Sequence, residues 1–326
     1  MSTGTTAVRV HEHGGPEVMR IEEVSLPDPG PDEALVRNTA IALNFYDVYE
    51  RTGLYPVALP MTPGSESVGV VEAVGEDVRD LDVGDRVAVL TGPGNYAQAM
   101  IAPASHLVPL PTGIDDRTAA AAMTKAMTVE YLLERCFQVR RGQTILFLSA
   151  AGGVGLIACQ WARALGVRMI GTVSTEAKAD LARQHGCDVV LILGRDNIVD
   201  RVREETGGHG VPVVYDSVGK DTFDDSMDCL ARCGTMVSFG QSSGEPPAFQ
   251  TRMLAQHGSA FITRPGMHDY TATRQELLAS ADRALSMITS GKVKITIGQT
   301  FRLDQTAEAH AALEGRRTVG STVLIP

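Results

Sequence analysis

The sequence has no excess of positive charge. Its 39 acidic residues outnumber 29 basic ones, giving a formal net charge of −10. That balance argues against a broad nucleic-acid footprint. No apolar run reaches membrane-spanning length, and the opening segment MSTGTTAVRV lacks the apolar core of a secretion signal. A cytoplasmic protein with no membrane partner is expected. Cysteine is sparse: Cys136, Cys159, Cys187, Cys229 and Cys233 form no C-x-x-C pair. This is neither a zinc-site layout nor a disulfide framework. The eight histidines are scattered too, and His11 and His13 sit before a Gly-Gly-Pro turn where a metal role has no support. The expected metal content is none. Apolar content of 44% and charged content of 21% are ordinary for a globular protein, and 326 residues exceed one comfortable core. Two domains follow.

What is present is organised around residues 144–178. A short apolar run at 144–149 reads as a buried parallel strand. Ala150-Ala151-Gly152-Gly153-Val154-Gly155 follows, then good helix formers at 156–165, a stop at Gly166 and a second apolar strand at 167–173. This strand, Gly turn, helix and strand is the context that a dinucleotide fingerprint needs. Gly152 leaves room for a pyrophosphate, and Gly155 lets the helix approach its strand closely. The helix N-terminus offers N–H groups and partial positive charge to the phosphates. Ala150 stands where the first Gly of the fingerprint is usually found. At the end of the second strand an NAD site would carry Asp or Glu. Here Ser174 takes that place and Lys178 follows one helical turn later. A hydroxyl and an ammonium suit a 2′-phosphate, so NADPH is preferred over NADH.

Residues 1 to about 125 read as short strands broken by turn residues, at the spacing of a small barrel, with helical turns at 44–51. A helix begins after a cap at Asp115 or Asp116, and a second covers roughly 127–136. Beyond Lys178 the βα alternation continues through strands at 189–193, 213–216 and 234–239, which predicts a doubly wound parallel sheet. Ligands of such sheets lie beyond the strand C-termini, here at 149–155, Ser174, 216–219 and 240–243. A long helix over about 274–290, a short one at 306–313 and a last strand at 320–325 complete the chain.

These motifs resemble the zinc-free medium-chain dehydrogenases/reductases of the quinone oxidoreductase branch. The likeness is carried by HEHGGPEVM, NFYDVYERTGLYP, GSESVGVVEAVGEDV with VGDRV, AAGGVGLIACQWARALG, VVYDSVGKDTF, VSFGQSSG and GSTVLIP. The resemblance implies an α/β protein with a GroES-like β-barrel catalytic domain (1–126 and 268–326) and a Rossmann domain (127–267). It further implies NADPH held in a cleft between them, and a homodimer. Zinc relatives carry cysteine where this chain has Asn44 and Gly-His-Glu where it has Gly64-Ser65-Glu66, so Lewis-acid alcohol oxidation is not expected. The same resemblance places Asn44, Thr128 and Tyr131 near the nicotinamide, and Gly152, Gly153 and Val154 at the pyrophosphate. Ser174 and Lys178 hold the 2′-phosphate, and Ser217, Phe239, Gly240, Ser242, Ser243 and Arg264 touch the rest of the cofactor. One departure weakens the expected NADPH preference: Ile192-Leu193-Gly194 replaces the Asn-Tyr-Arg of close relatives, with Arg195 one residue late as a substitute.

The implied activity is reduction of a small quinone by NADPH, at a pocket built from Asn44, Tyr49, Tyr55, Lys125 and Thr128. Quinones accept electrons readily, so proximity and orientation are the protein's main contribution. Asn44 is expected to donate to a carbonyl oxygen as charge develops. An NADPH-dependent alkenal or enone reductase is the alternative enzyme, and a low-activity NADPH-binding redox sensor is the alternative from another class.

Overall fold

The computed structural model describes residues 3–326, which fall into two units. The first takes the described residues through Thr124, with Thr273–Ala281 and Ile295–Pro326; the second takes Lys125–Ala272 and Asp282–Lys294. The stretch 282–294 bonds within the second unit. Arg283 donates to Glu134 at 2.7 Å and lies 5.4 Å from the centre of the Trp161 ring, while Gln160 bonds both the N–H and the carbonyl of Lys294.

In the second unit six strands form one parallel sheet. Their order across it is Val189–Ile192, Arg168–Val173, Thr144–Phe147, Val211–Asp216, Leu230–Ser238 and Phe261–Thr263. In chain order this is 3-2-1-4-5-6, the doubly wound arrangement. Its direction reverses between Thr144–Phe147 and Val211–Asp216, and the carboxyl ends of those two strands flank the ligand crevice. Register aligns Ile170, Leu146, Val214 and Met236 in one row, all fully buried. Each such side chain contributes about 1.5–3 kcal/mol by leaving water. Apolar residues at nearly every position are what a sheet covered on both faces requires.

One helical expectation changes. In place of two helices, Asp116–Glu130 runs directly into a π-helical turn, Tyr131–Cys136. No Gly or Pro separates them. The widened turn is held from a strand: the Tyr215 hydroxyl reaches the carbonyls of Leu132 at 3.1 Å and Phe137 at 3.3 Å. Asp115 is the cap, accepting from Thr118 N at 2.9 Å.

The first unit holds a seven-stranded sheet. Its order is Ile297–Arg302, Ser321–Ile325, Glu33–Leu43, Ser67–Val74, Arg86–Val89 and Leu107–Pro109, and Ala99–Pro103 pairs with the start of the long central strand. Thr3–Val10 and Met19–Leu26 form a separate antiparallel pair. Val36, Val71, Val87, Val89 and Leu107 fill one core cluster, and Val8, Ile41, Tyr96 and Leu324 another. Among the described residues no helix is long and apolar enough to cross a membrane, and the five cysteines are free thiols.

Candidate active site

The nucleotide turn is built at the end of Thr144–Phe147. Ser149 adopts φ 59°, in the left-handed region, and so makes the tight bend for which the fingerprint normally uses glycine. Its carbonyl accepts from Gly152 N at 3.0 Å, and Ala150 N is anchored to Thr172 O of the next strand at 2.9 Å. Gly152 is the N-cap of the helix Gly153–Leu165, and no side chain caps that end. The first N–H groups, Gly153 and Val154 among them, therefore remain available to an anion. A Cβ at Gly155 would lie 2.3 Å from Ser149 O, whereas one at Gly152 would find its nearest neighbour at 3.3 Å. The first glycine is demanded by the protein's own packing. The second leaves a cradle that the protein itself does not fill, which fits a dinucleotide pyrophosphate.

Beyond Arg168–Val173, Ser174 is exposed and Thr175 caps the helix Glu176–Gln184, its side chain accepting from Lys178 N. Lys178 is half-buried on the first turn of that helix. Arg195, the expected substitute for the missing basic residue, is engaged by carboxylates: Glu176 at 2.7 Å and Asp196 at 3.2 Å. Arg195 and then Arg183 hold the Glu176 carboxyl below its usual range. Sequence reasoning missed Glu176, an acid placed two residues after Ser174. Lys178 is the basic residue that the sequence expects at a 2′-phosphate. Lys178→Ala is expected to remove a charge-assisted contact of ~1.5–3 kcal/mol. NADPH affinity should fall about ten- to hundredfold with NADH nearly unchanged; equal losses in a parallel titration would contradict this.

At the end of Val211–Asp216, Asp216 is fully buried and accepts four hydrogen bonds, from Val218 N, Gly219 N, Thr222 Oγ1 and Ser226 Oγ, at 2.7–3.0 Å. It shapes the turn on which Ser217 sits. Ser242 N donates to Ser217 O, and Ser243 N and Oγ both donate to Val218 O. A Cβ at Gly240 would meet Ser217 O at 2.7 Å. Arg264 donates to Gly240 O at 3.0 Å, and the Phe239 ring packs 5.5 Å from Phe147. Six expected cofactor residues are thus one connected cluster. Thr128, Tyr131 and Arg264 are likewise neighbours; burial chiefly holds the Tyr131 phenol up, offset by the Thr128 hydroxyl. Tyr131 stacks on Tyr270 with ring centres 4.7 Å apart, and Arg135 covers the Tyr270 ring at 5.2 Å. Sequence reasoning missed Tyr270, a lone aromatic in GMHDYT. Lys125 is buried in this second unit.

In the first unit Asn44 caps the helix Phe45–Arg51. Its N–H donates to Asp47 Oδ2 at 2.8 Å, and its Nδ2 reaches Ser65 Oγ at 3.4 Å and Glu66 Oε2 at 3.3 Å. Donation from Asn44 to a substrate carbonyl would therefore have to replace one of these contacts. Tyr49 and Tyr55 pack edge to face at 5.1 Å, and Tyr46 meets Tyr55 at 5.3 Å. The Tyr46 hydroxyl bonds Glu50, a buried carboxyl that burial first, and Asp47 second, push up to about 8.

Residues 30–112 match the alcohol dehydrogenase GroES-like domain, and residues 153–281 the zinc-binding dehydrogenase model. The chain is 50% identical to the quinone oxidoreductase of Pseudomonas aeruginosa, over 96% of this chain and 97% of that one. The crystal structure of Escherichia coli quinone oxidoreductase complexed with NADPH matches with a TM-score of 0.97 at 43% identity, covering 98% and 100% of the two chains. A Burkholderia 2-haloacrylate reductase is 41% identical over 98% of each. The chain belongs to the medium-chain dehydrogenase/reductase family, in its quinone oxidoreductase branch.

The branch's two domains are both present, the GroES-like fold in the first unit and the Rossmann fold in the second. The family model's description includes zinc, and the residues at that position do not fit it. Asn44 offers an amide, Ser65 a hydroxyl already given to Asp47, and Glu66 a carboxylate that accepts from Thr124 N at 2.7 Å. None is the thiolate or imidazole that such a site uses. Among the described residues no group of three or more His, Cys, Asp or Glu is placed to hold a metal.

Two buried groups of this unit set a pH dependence of stability. Glu50 is pushed up from 4.5 to about 8, so its contribution is full below about 4.5 and is lost as pH rises through 8. His310 is held down to about 3 against 6.5, by burial and then by Arg51, so its contribution is full above 6.5 and is lost as pH falls through 3. Between about 4.5 and 6.5 the two slopes oppose. Glu50→Gln is expected to remove the alkaline loss, raising the melting temperature more at pH 9 than at pH 6. An equal shift at both pH values would contradict the assignment.

Proposed function

We propose that this protein reduces small quinones with NADPH and without zinc. The observation that carries the reading is the uncapped helix N-terminus above Ser149–Gly152, in a chain that matches NADPH-complexed quinone oxidoreductase over nearly its full length. NADPH supplies the reducing equivalents when bound. In this reading Gly152, Gly153 and Val154 hold the pyrophosphate, Ser174 and Lys178 the 2′-phosphate, and Ser217, Phe239, Gly240, Ser242, Ser243 and Arg264 the remainder. Thr128 and Tyr131 orient the nicotinamide with Asn44. Tyr49 and Tyr55 bound the quinone. Quinones need little acid catalysis, so orientation supplies most of the rate. Asn44→Ala and Tyr49→Phe are expected to lower kcat about tenfold or more while NADPH affinity changes less. Unchanged turnover in both variants would remove these residues from the mechanism.

The 41%-identical 2-haloacrylate reductase favours a second reading, reduction of an activated C=C bond by the same cofactor. The cytoplasmic assignment is supported by five free thiols. The homodimer is supported by the resemblance and by the short edge strand Phe261–Thr263, whose Phe261 is exposed.

A further inference from the structure

The helix Phe45–Arg51 carries a carboxyl that the proposed reaction has not used. Tyr46 and Glu50 stand at i and i+4 on it, the spacing that brings two helical side chains together. Their surroundings differ. Glu50 is 2% exposed, whereas Tyr46 is 45% exposed, with its ring edge-on to Tyr55 at 5.3 Å. The Tyr46 hydroxyl bonds the Glu50 carboxyl. Glu50 Oε2 is buried and has no hydrogen-bond partner among the described residues, so that bond falls on Oε1.

This arrangement decides where the hydrogens sit. An ionised carboxylate with one bare buried oxygen is uncompensated, and the neutral acid avoids that cost. Burial first, and the Asp47 charge second, favour the neutral form as well. An acid hydrogen on Oε2 would be a buried donor with no acceptor. On Oε1 it is used, and only a carbonyl-type oxygen is left bare, which is the less costly orphan. The Glu50 O–H therefore donates to the Tyr46 oxygen. The phenol has a single hydrogen, which is then turned away from Glu50 and toward the exposed side of the residue. Ionisation of Glu50 reverses the pair: the carboxylate takes the phenol hydrogen, and nothing is left to give outward.

We propose that Tyr46 is the proton donor to a reduced quinone oxygen, with Glu50 behind it as the acid that recharges the phenol. NADPH, when bound, supplies the electrons. The Tyr46 O–H bond breaks as an O–H bond forms on the quinone oxygen. The Glu50 proton passes to the phenolate, and water returns a proton to the carboxylate. The proposal rests on the quinone-reductase reading for the acceptor, and only on burial and hydrogen-bond chemistry for the pair itself.

The test is the pH profile of kcat on 1,4-benzoquinone for the full chain and two variants. The groups facing Glu50 are Tyr46 and Asp47 on its own helix and Tyr96 from the segment before Ala99–Pro103, with Arg51 acting on Tyr96 and Tyr55 on Tyr46. Burial holds the Tyr96 phenol well up, and burial and then Glu50 raise the Tyr46 phenol, so a limb near pH 8 belongs to Glu50. Expected for the wild type is a kcat that falls as pH rises through about 8. Tyr46→Phe should lower kcat about tenfold at pH 6 and abolish the limb; the loss is smaller than is usual for a general acid because quinones accept electrons readily. Glu50→Gln should lower kcat about threefold and lose the limb too, since its amide N–H keeps the phenol hydrogen outward but has no proton to pass on. Unchanged kcat in Tyr46→Phe, or a limb near pH 8 that survives in Glu50→Gln, overturns the proposal. Infrared difference spectra of the wild-type chain between pH 6 and pH 10 need no variant. Loss of a protonated-carboxyl band is expected, and no such band overturns the proposal even if both variants fail to fold. Wild-type protein that shows the band but reduces no quinone contradicts the proposed function and leaves the acid pair standing; a quinone reductase without the band contradicts the pair alone.

Discussion

Gly152→Ala is expected to weaken NADPH binding about 30- to 100-fold while the protein melts within a few degrees of wild type. Gly155→Ala is expected to lower the melting temperature first. The difference lies in what each new methyl group meets. At Gly152 the backbone has φ −77°, which any residue adopts, and the nearest atom to a Cβ is Ser149 O at 3.3 Å. Alanine is a poorer N-cap than glycine, but the fold accommodates it at about 1 kcal/mol or less. What it cannot accommodate is a pyrophosphate approaching the same N–H groups. At Gly155 the methyl would lie 2.3 Å from Ser149 O and 2.7 Å from the Ala150 backbone. Neither atom belongs to a flexible side chain, so the helix must shift off its strand, at about 1–3 kcal/mol. Calorimetric titration with NADPH beside a thermal melt separates the two outcomes. Unchanged NADPH affinity in Gly152→Ala would mean that the cofactor is not held at this turn.

Asp216→Ala is expected to be the most destabilising single change in the second unit, by about 3–5 kcal/mol. The carboxylate satisfies two backbone N–H groups and two hydroxyls, at 2.7–3.0 Å and with no solvent exposure. Removing it leaves four donors facing a cavity. Asp216→Asn retains one acceptor oxygen and should cost less. Because Ser217, Ser242 and Ser243 are hung on the turn that Asp216 shapes, NADPH affinity should fall along with stability. Denaturant unfolding gives the first quantity and titration below the unfolding transition gives the second. A loss under about 1 kcal/mol for the alanine variant would contradict the convergence of bonds described here.

The Rossmann unit was legible because its information is local. Buried strands read as unbroken apolar runs, Gly166 stops the helix where it should, and the βα alternation predicts the doubly wound parallel sheet that is found. The missing first glycine at Ala150 was a local puzzle with a local answer one residue earlier, at Ser149. Long-range chemistry was not legible in this way. The π turn at Tyr131–Cys136 depends on a tyrosine about eighty residues downstream, at Tyr215. Arg51 and His310, or Tyr96 and His310, are joined across more than two hundred residues, and no period or spacing in the sequence links them. Arg195 was read as a cation near a phosphate. Its sequence neighbourhood did not reveal that Glu176 would claim it. The helical turns at 44–51 are a local reading, but the cap that Asn44 makes and its contacts with Ser65 and Glu66, about twenty residues away, are not.

The central claim is that bound NADPH is spent on quinones. It is tested most directly by following NADPH consumption in the nicotinamide absorbance band with 1,4-benzoquinone, a bulkier ortho-quinone and a medium-chain 2-alkenal, with NADH as the control donor. The account predicts fast turnover with the quinones, little with the alkenal and slower rates with NADH. Turnover with the alkenal alone would contradict it and place the protein among the double-bond reductases. Tight NADPH binding with no turnover on any acceptor would contradict it in favour of a redox sensor.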